Sequence, residues 1–129
     1  HDTHHPIGSG LYYEEQQPEA RRRAADIVST RQPKFQHYFE RVLEHNPDGD
    51  ARMVGGSLTC VDLSLAQVIA GLGYAFPRAS RKNLRSCPRL QALHDKVFAR
   101  RRIQAYVASP RRLPFNQQDI FRHYPELDA

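Results

Sequence analysis

The sequence is short of cysteine and of recognisable catalytic signatures. Its 129 residues include two cysteines, Cys60 and Cys87, which are too few for a disulfide framework and favour a protein of the reducing cytoplasm. It contains no Ser-His-Asp set, Gly-rich phosphate loop or metal-binding signature. The first residue is not Met, and we interpret the chain as a fragment of a longer protein.

Three histidines near the start, His1, His4 and His5, do not make a metal site by themselves. A zinc site needs three or four ligands in a fixed geometry. Neither a cysteine nor a second pair of histidines stands nearby to complete such a set. We therefore expect no bound metal ion and no bound cofactor.

The sequence also lacks an uninterrupted hydrophobic run of membrane-spanning length. Its most apolar stretch, Leu58 to Pro77, is broken by Asp62, Gln67 and two glycines. A transmembrane helix needs about 20 consecutive, predominantly apolar residues. We expect no association with a membrane.

This same stretch predicts the central helix of an all-α protein. Asp62 is the only charged residue between Cys60 and Pro77, and apolar residues fall all around a 3.6-residue period, as in a helix enclosed by other helices. No segment of useful length has the two-residue period of a strand. We predict a single all-α domain, a helical bundle around a buried helix at about residues 60–75.

The start of this helix is predicted by a capping motif. Thr59 can accept the backbone N–H three residues on, and Asp62 can accept the N–H of Thr59 in return. Leu58 can pack on Leu63 as a hydrophobic staple. The carboxylate also stands where the positive end of the helix dipole favours it.

The rest of the chain predicts shorter helices and two irregular ends. Apolar residues at three- and four-residue spacing indicate helical stripes before the central helix, at Ala20, Ala24, Ile27 and Val28 and then at Phe35, Tyr38, Phe39, Val42 and Leu43. In chain order we predict an irregular lead-in (1–17), a helix from Pro18 that Pro33 kinks or divides, a turn at 46–50, a basic loop after Pro77, a helix from Pro88, a short helix around Tyr106, and a tail (113–129) that packs back on the bundle.

The charge is unevenly distributed. Residues 1–50 hold six Lys/Arg and nine Asp/Glu, whereas residues 51–129 hold thirteen and five. Such asymmetry is one sign of nucleic-acid binding. No aromatic residues alternate with the arginines as a base-stacking surface requires, so we favour a solvated surface and expect no nucleic-acid partner.

The ordered set of motifs resembles the C-terminal helical domain of the glutathione transferases, in a bacterial or fungal member. The resemblance covers nearly the whole chain, and its most specific part is the capping motif Leu58-Thr59-Cys60-Val61-Asp62-Leu63. It also rests on Phe39-Glu40-Arg41-Val42-Leu43 before a turn, on Pro88 and Leu90 opening the next helix, and on Ile103, Tyr106 and Ser109 in the following one.

This resemblance implies a cytoplasmic, homodimeric detoxification enzyme. In the family, an N-terminal thioredoxin-like domain binds and activates glutathione, the co-substrate, and the helical domain shapes the site of a hydrophobic electrophile. That first domain is absent from the 129 residues, so we assign no catalytic residue and expect the chain alone to be inactive. We expect Cys60 to be a buried structural residue and Cys87 to be more exposed, without a base beside it.

The resemblance also implies where the electrophile binds. In the family this site lies where the fourth helix, the middle of the sixth helix and the C-terminal tail meet the thioredoxin-like domain. The matching residues of this sequence are His5, Tyr12, Tyr74, Phe115 and Phe121.

Two other functions remain open on the sequence. One is a non-catalytic, transferase-like interaction module, such as the domain found in a translation elongation factor subunit. The other is a basic helical nucleic-acid-binding protein, which depends on charge alone.

Overall fold

The described part of the chain is built from helices. The computed structural model describes residues 13–48 and 50–128, and no residue of these two ranges lies in a β-strand. After a 3₁₀ turn at Tyr13–Gln16 come α1 (Gln17–Asp26), a π-helical turn (Ile27–Arg31), α2 (Gln32–Glu44), α3 (Cys60–Ala75), α4 (Pro77–Leu84), α5 (Pro88–Phe98), α6 (Arg101–Val107) and a 3₁₀ turn at Pro125–Leu127. The predicted all-α class is confirmed.

Pro33 interrupts the regular α-helical hydrogen bonding of the first long helical segment, where the sequence predicts a kink or a division. Proline has no N–H to donate and clashes with the preceding turn of an α-helix. The chain responds with the π-helical turn, in which the N–H of Gln32 donates to the carbonyl of Ile27, five residues back. The turn keeps α1 and α2 continuous while Pro33 occupies the first turn of α2.

The main hydrophobic core lies between α2, α3 and α5. Leu43 from α2, Leu65 and Ile69 from α3, and Leu90 and Leu93 from α5 are all buried in it. A fully buried α5 residue such as Leu90 contributes about 1.5–3 kcal/mol by its removal from water. α5 is therefore the principal neighbour of α3, and the buried faces of these two helices form this core together with α2.

The face of α3 turned away from this core is open. The sequence predicts apolar contacts all around this helix, but Val61 and Val68 are 42% and 45% exposed. On α2, the side chain of Phe35 is likewise 49% exposed. The apolar period of the sequence thus includes residues that no described part of the chain covers.

A second core lies at the other end of α3. It contains Ala20 and Ala24 of α1, Ile27 of the π-helical turn, Ala75 at the end of α3 and the following Phe76, Ala79 of α4, and Leu127 of the tail. The prediction of a basic loop after Pro77 is wrong, because this segment forms α4. Its basic side chains Arg81 and Lys82 are exposed, while Ala79 and Ser80 face the core.

Carboxylates from distant parts of the chain cap two of the shorter helices. Asp128 accepts the backbone N–H groups of Arg78 (2.7 Å) and Ala79 (3.0 Å) at the start of α4. Glu40 of α2 accepts those of Arg89 (3.0 Å) and Leu90 (2.8 Å) at the start of α5. A negative charge is favoured at a helix N-terminus, so these contacts hold the tail on α4 and α2 on α5.

The cap of α3 is local in sequence. Asp62, which is 0% exposed, accepts the backbone N–H of Thr59 (2.7 Å) and, from the preceding loop, that of Met53 (2.8 Å). The backbone N–H of Asp62 is bonded to the Thr59 side chain, which closes the capping box. Leu58 packs against the main core, whereas Leu63 is exposed.

Candidate functional site

An aromatic cluster joins the end of α3 to the C-terminal tail. The ring of Tyr74 stacks on that of Phe115 with centroids 5.0 Å apart and planes inclined by 21°. Phe121 meets Phe115 edge to face at 5.9 Å, and His123 lies 6.1 Å from Tyr74. Both arrangements of aromatic pairs are favourable because they oppose the negative face of one ring to the positive edge of another.

Polar contacts hold the tail in this position. The side-chain oxygen of Asn116 accepts the backbone N–H groups of Gln118 (2.7 Å) and Asp119 (3.0 Å) and so forms a tight turn. His123 donates from Nδ1 to the carbonyl of Ala75 (3.1 Å), at the last residue of α3. The side chain of Gln117 donates to the Tyr74 hydroxyl at 3.4 Å. The turn and these two contacts fix the tail against α3.

A glycine on α3 allows the tail to approach closely. Gly71 is buried, and a Cβ atom built on it would lie 2.4 Å from three carbon atoms of the Phe121 ring. The ring therefore rests directly on the helix backbone. A side chain at position 71 and the observed position of Phe121 exclude each other.

The structure brings together Tyr74, Phe115 and Phe121, three of the five residues predicted to contact the electrophile. The other two, His5 and Tyr12, lie outside the described residues. Sequence reasoning missed His123 and Arg112, whose guanidinium carbon lies 5.1 Å from the Phe115 ring centroid. Their arrangement depends on the fold of the tail, for which the sequence carries no periodic signal.

A second feature is an apolar cavity of about 520 Å³ between α2 and α3. Phe35 and Phe39 of α2 and Val68 and Leu72 of α3 are among its walls, and Phe121 borders it as well. Tyr74 and Phe115 are not among its lining residues. The aromatic cluster and this α2–α3 cavity therefore share Phe121 but are otherwise separate.

Tyr13 is tied to the end of the tail. Its ring stacks on Tyr124 with centroids 3.9 Å apart, and its hydroxyl donates to Glu126 Oε1 at 2.7 Å. Burial, together with the hydrogen bond to Glu126, raises the pKa of Tyr13 well above its usual range. The phenol remains protonated at neutral pH and acts as a hydrogen-bond donor.

The two cysteines are placed opposite to expectation. Cys60 is exposed, and Cys87 is fully buried in the main core. Both cysteines lie at the start of a helix, and this position alone does not decide whether a side chain is buried. Cys60 lies on the open side of the first turn of α3, whereas Cys87 faces the main core. Burial raises the pKa of the Cys87 thiol, which disfavours the reactive thiolate.

The described part of the chain shows neither a metal cluster nor a membrane span. No three His, Cys, Asp or Glu side chains within residues 13–48 and 50–128 are placed to bind a metal ion. His1, His4 and His5 lie outside these ranges. No helix formed by the described residues is both long enough and apolar enough to cross a membrane.

Comparison with known proteins gives one family. A search of curated proteins found no match. Residues 1–110, well over half of the chain, match the family model described as the C-terminal domain of glutathione S-transferase. This match agrees with the all-α architecture and with the resemblance carried by the capping motif. The chain belongs to the glutathione S-transferase C-terminal domain family.

Proposed function

We propose that the aromatic cluster forms one wall of the site for a flat, hydrophobic electrophile in a glutathione transferase. The observation that carries this proposal is the convergence of Tyr74 from α3 with Phe115 and Phe121 from the tail. Aromatic walls with a few polar tips suit small apolar ligands. The Tyr74 hydroxyl and the amide of Gln117 supply such tips.

The activation of glutathione belongs, in this proposal, to a thioredoxin-like domain elsewhere in the protein. Conjugation needs a thiolate held beside its electrophile. Two weakly acidic side chains of the helical domain do not favour one: Tyr13 stays protonated at neutral pH, and Cys87 is buried in the main core with a raised pKa. The helical domain contributes shape and apolar contacts to the second substrate.

Family membership supports the rest of the proposal. The protein would use glutathione as its co-substrate, work as a homodimer in the cytoplasm, and detoxify hydrophobic compounds. The helical domain requires no bound cofactor or metal ion for this role.

A titration with 1,3-dinitrobenzene tests the site. This compound has the flat, electron-poor ring of an aromatic electrophile but no leaving group, so it does not arylate the thiol of the exposed Cys60. We expect its binding to shift the NMR signals of Tyr74, Phe115 and Phe121. Tyr74→Leu and Phe115→Leu should each weaken binding by up to about 10-fold, since an aromatic pair contributes about 0.5–1.5 kcal/mol beyond its buried area.

Tyr106→Leu is the matched control. Tyr106 is an exposed aromatic residue of α6 whose ring contacts Arg111 rather than the cluster, so its replacement should leave binding unchanged. Equal affinity in all three variants would refute the proposal. So would a titration that shifts only signals from the α2–α3 cavity.

A further inference from the structure

The hydroxyl of Tyr74 lies at the polar edge of the aromatic cluster. The ring of Tyr74 stacks on Phe115 with centroids 5.0 Å apart, and its backbone belongs to the last turn of α3. Tyr74 is half-buried, and the contact of its hydroxyl with Gln117 lies at the exposed surface. A ligand that lies against the cluster can therefore reach this hydroxyl.

The side-chain amide of Gln117 has a fixed orientation. Its Oε1 accepts the backbone N–H of His123 at 3.1 Å, and a backbone N–H can only donate. The amide nitrogen of Gln117 therefore faces the hydroxyl oxygen of Tyr74, at 3.4 Å. The imidazole of His123 donates to the carbonyl of Ala75 at 3.1 Å, so the end of α3 supports this part of the tail.

This arrangement leaves the Tyr74 hydroxyl as a donor. An amide nitrogen donates but does not accept, so the Tyr74 oxygen is the acceptor in its contact with Gln117. A phenolic hydroxyl has one proton, and no described residue accepts the proton of Tyr74. Water bound at this point can be displaced by a ligand group that accepts the same hydrogen bond.

The neighbouring cation also offers only donors. The guanidinium carbon of Arg112 lies 5.1 Å from the centroid of the Phe115 ring, and Nη1 donates to the carbonyl of Leu113 at 3.4 Å. A guanidinium has no acceptor. A ligand on this wall therefore meets donors at its polar edge, and the group that complements them is an oxygen acceptor.

We propose that Tyr74 determines specificity in the electrophile site by donating its hydroxyl proton to a carbonyl oxygen of the bound compound. The inference rests on the proposed function and names the class of electrophile, a flat ring with a carbonyl group conjugated to it. An uncharged carbonyl suits this wall better than a carboxylate, whose charge would have to leave water beside apolar rings. Gln117 is a positioning residue, because it holds the Tyr74 oxygen as an acceptor and leaves the proton for the ligand.

Two compounds of nearly equal shape test the inference. 2-Acetylnaphthalene carries a ketone oxygen where 2-isopropenylnaphthalene carries a CH₂ group. Both are titrated into the full 129-residue chain and followed by NMR, and both should shift signals of Phe115 and Phe121. The ketone should bind about 5-fold tighter, the ratio that corresponds to about 1 kcal/mol, the usual net value of a hydrogen bond.

Two variants remove the donor in different ways. Tyr74→Phe keeps the ring and removes the hydroxyl, so the affinity for the ketone should fall to that for the hydrocarbon. Gln117→Glu keeps an oxygen that accepts from His123, but its second carboxylate oxygen accepts the proton of Tyr74. The preference for the ketone should be lost here too, although the hydroxyl is present. A merely structural role of Gln117 would weaken the binding of both compounds equally.

Tyr106→Phe is the matched control. It removes the hydroxyl of an exposed tyrosine on α6, away from the cluster, and should change neither affinity. All variants are first shown to be folded by circular dichroism.

The possible failures of the inference and of the proposed function are distinguishable. Equal affinities for the two compounds, or a preference that survives Tyr74→Phe, would refute the role of Tyr74 and leave the electrophile site intact. A preference that Arg112→Gln removes and Tyr74→Phe does not would assign the oxygen to Arg112 instead. If neither compound shifts signals of the cluster, the proposed electrophile site is wrong, and the inference fails with it.

Discussion

The ring of Phe121 lies so close to Gly71 of α3 that a Cβ atom at position 71 would be 2.4 Å from three of its carbons. Phe121 belongs to both the aromatic cluster and the wall of the α2–α3 cavity. This one contact therefore sets the position of the tail both at the aromatic cluster and beside the cavity. The absence of a side chain at position 71 permits this close contact of the Phe121 ring with α3.

Gly71→Ala should displace the Phe121 ring and destabilise the fold by about 1–3 kcal/mol, as overpacking commonly does. Chemical denaturation measures the loss. In a Phe121→Ala background the same change should instead stabilise by about 0.5–1 kcal/mol, because alanine has the higher helix propensity. An equal loss in both backgrounds would contradict the contact.

Gly73→Ala is the matched control for this change. Gly73 lies two residues further along the same helix, and a Cβ atom there would meet no atom within 4 Å. The variant should gain about 0.5–1 kcal/mol from helix propensity alone. A loss at position 73 would show that helix distortion, not the Phe121 ring, explains the effect at position 71.

Asp62→Ala should be among the most destabilising changes of a polar residue in this chain. It leaves the N–H groups of Met53 and Thr59 without their carboxylate acceptor, and we expect a loss of about 3 kcal/mol in urea denaturation. Thr59→Ala should cost about 1 kcal/mol. Because both residues act on one capping structure, the double variant should lose less than the sum.

The control for the capping prediction is Asp26→Ala. Asp26 is an exposed aspartate at the end of α1, and its replacement should change stability by no more than about 0.5 kcal/mol. A comparable loss for Asp26 and Asp62 would mean that removal of negative charge, rather than of the cap, is responsible.

The two thiols should react at very different rates. A disulfide reagent such as Ellman's should modify the exposed Cys60 rapidly and the buried Cys87 only as fast as the protein opens. Cys60→Ser should remove the fast phase, and Cys87→Ala the slow one. Two fast phases in the folded protein would contradict the burial of Cys87.

Cys87 also predicts a pH dependence of stability. Burial raises the pKa of its thiol in the folded state, so the folded form holds the proton to higher pH than the unfolded form does. The stabilisation is complete below about 8.5, the usual thiol pKa, and is lost as the pH rises above it, by at most about 1.4 kcal/mol for each pH unit. The free energy of unfolding of Cys87→Ala should fall less steeply between pH 8 and 10.

The chain alone should not conjugate glutathione. With glutathione and 1-chloro-2,4-dinitrobenzene, we expect the rate of the uncatalysed reaction, measured by absorbance of the conjugate. The exposed Cys60 can react with the electrophile once, but a stoichiometric reaction is not turnover. Sustained turnover that Cys60→Ser abolishes would contradict this prediction and the proposed division of labour.

Features encoded by neighbouring residues could be read from the sequence. The helix at 60–75 and its start follow from the apolar period and from Thr59 and Asp62, which act within one turn. The interruption at Pro33 follows from its missing N–H. The resemblance to the family predicts the grouping of Tyr74, Phe115 and Phe121. No local pattern of the sequence predicts it, because Tyr74 and the two tail residues are more than forty positions apart.

The sequence by itself determined the helical class, the central helix and its cap, since these depend on interactions within a few residues of chain. Only the tertiary structure decided which apolar faces stay open, which cysteine is buried, and that the basic segment after Pro77 is a helix. The carboxylate that caps this helix, α4, belongs to Asp128 at the far end of the chain. The ring that lies on Gly71 of α3 likewise belongs to a distant residue, Phe121. Burial and hydrogen bonding are properties of the packed elements and not of the single residue, so no local pattern of the sequence indicates them.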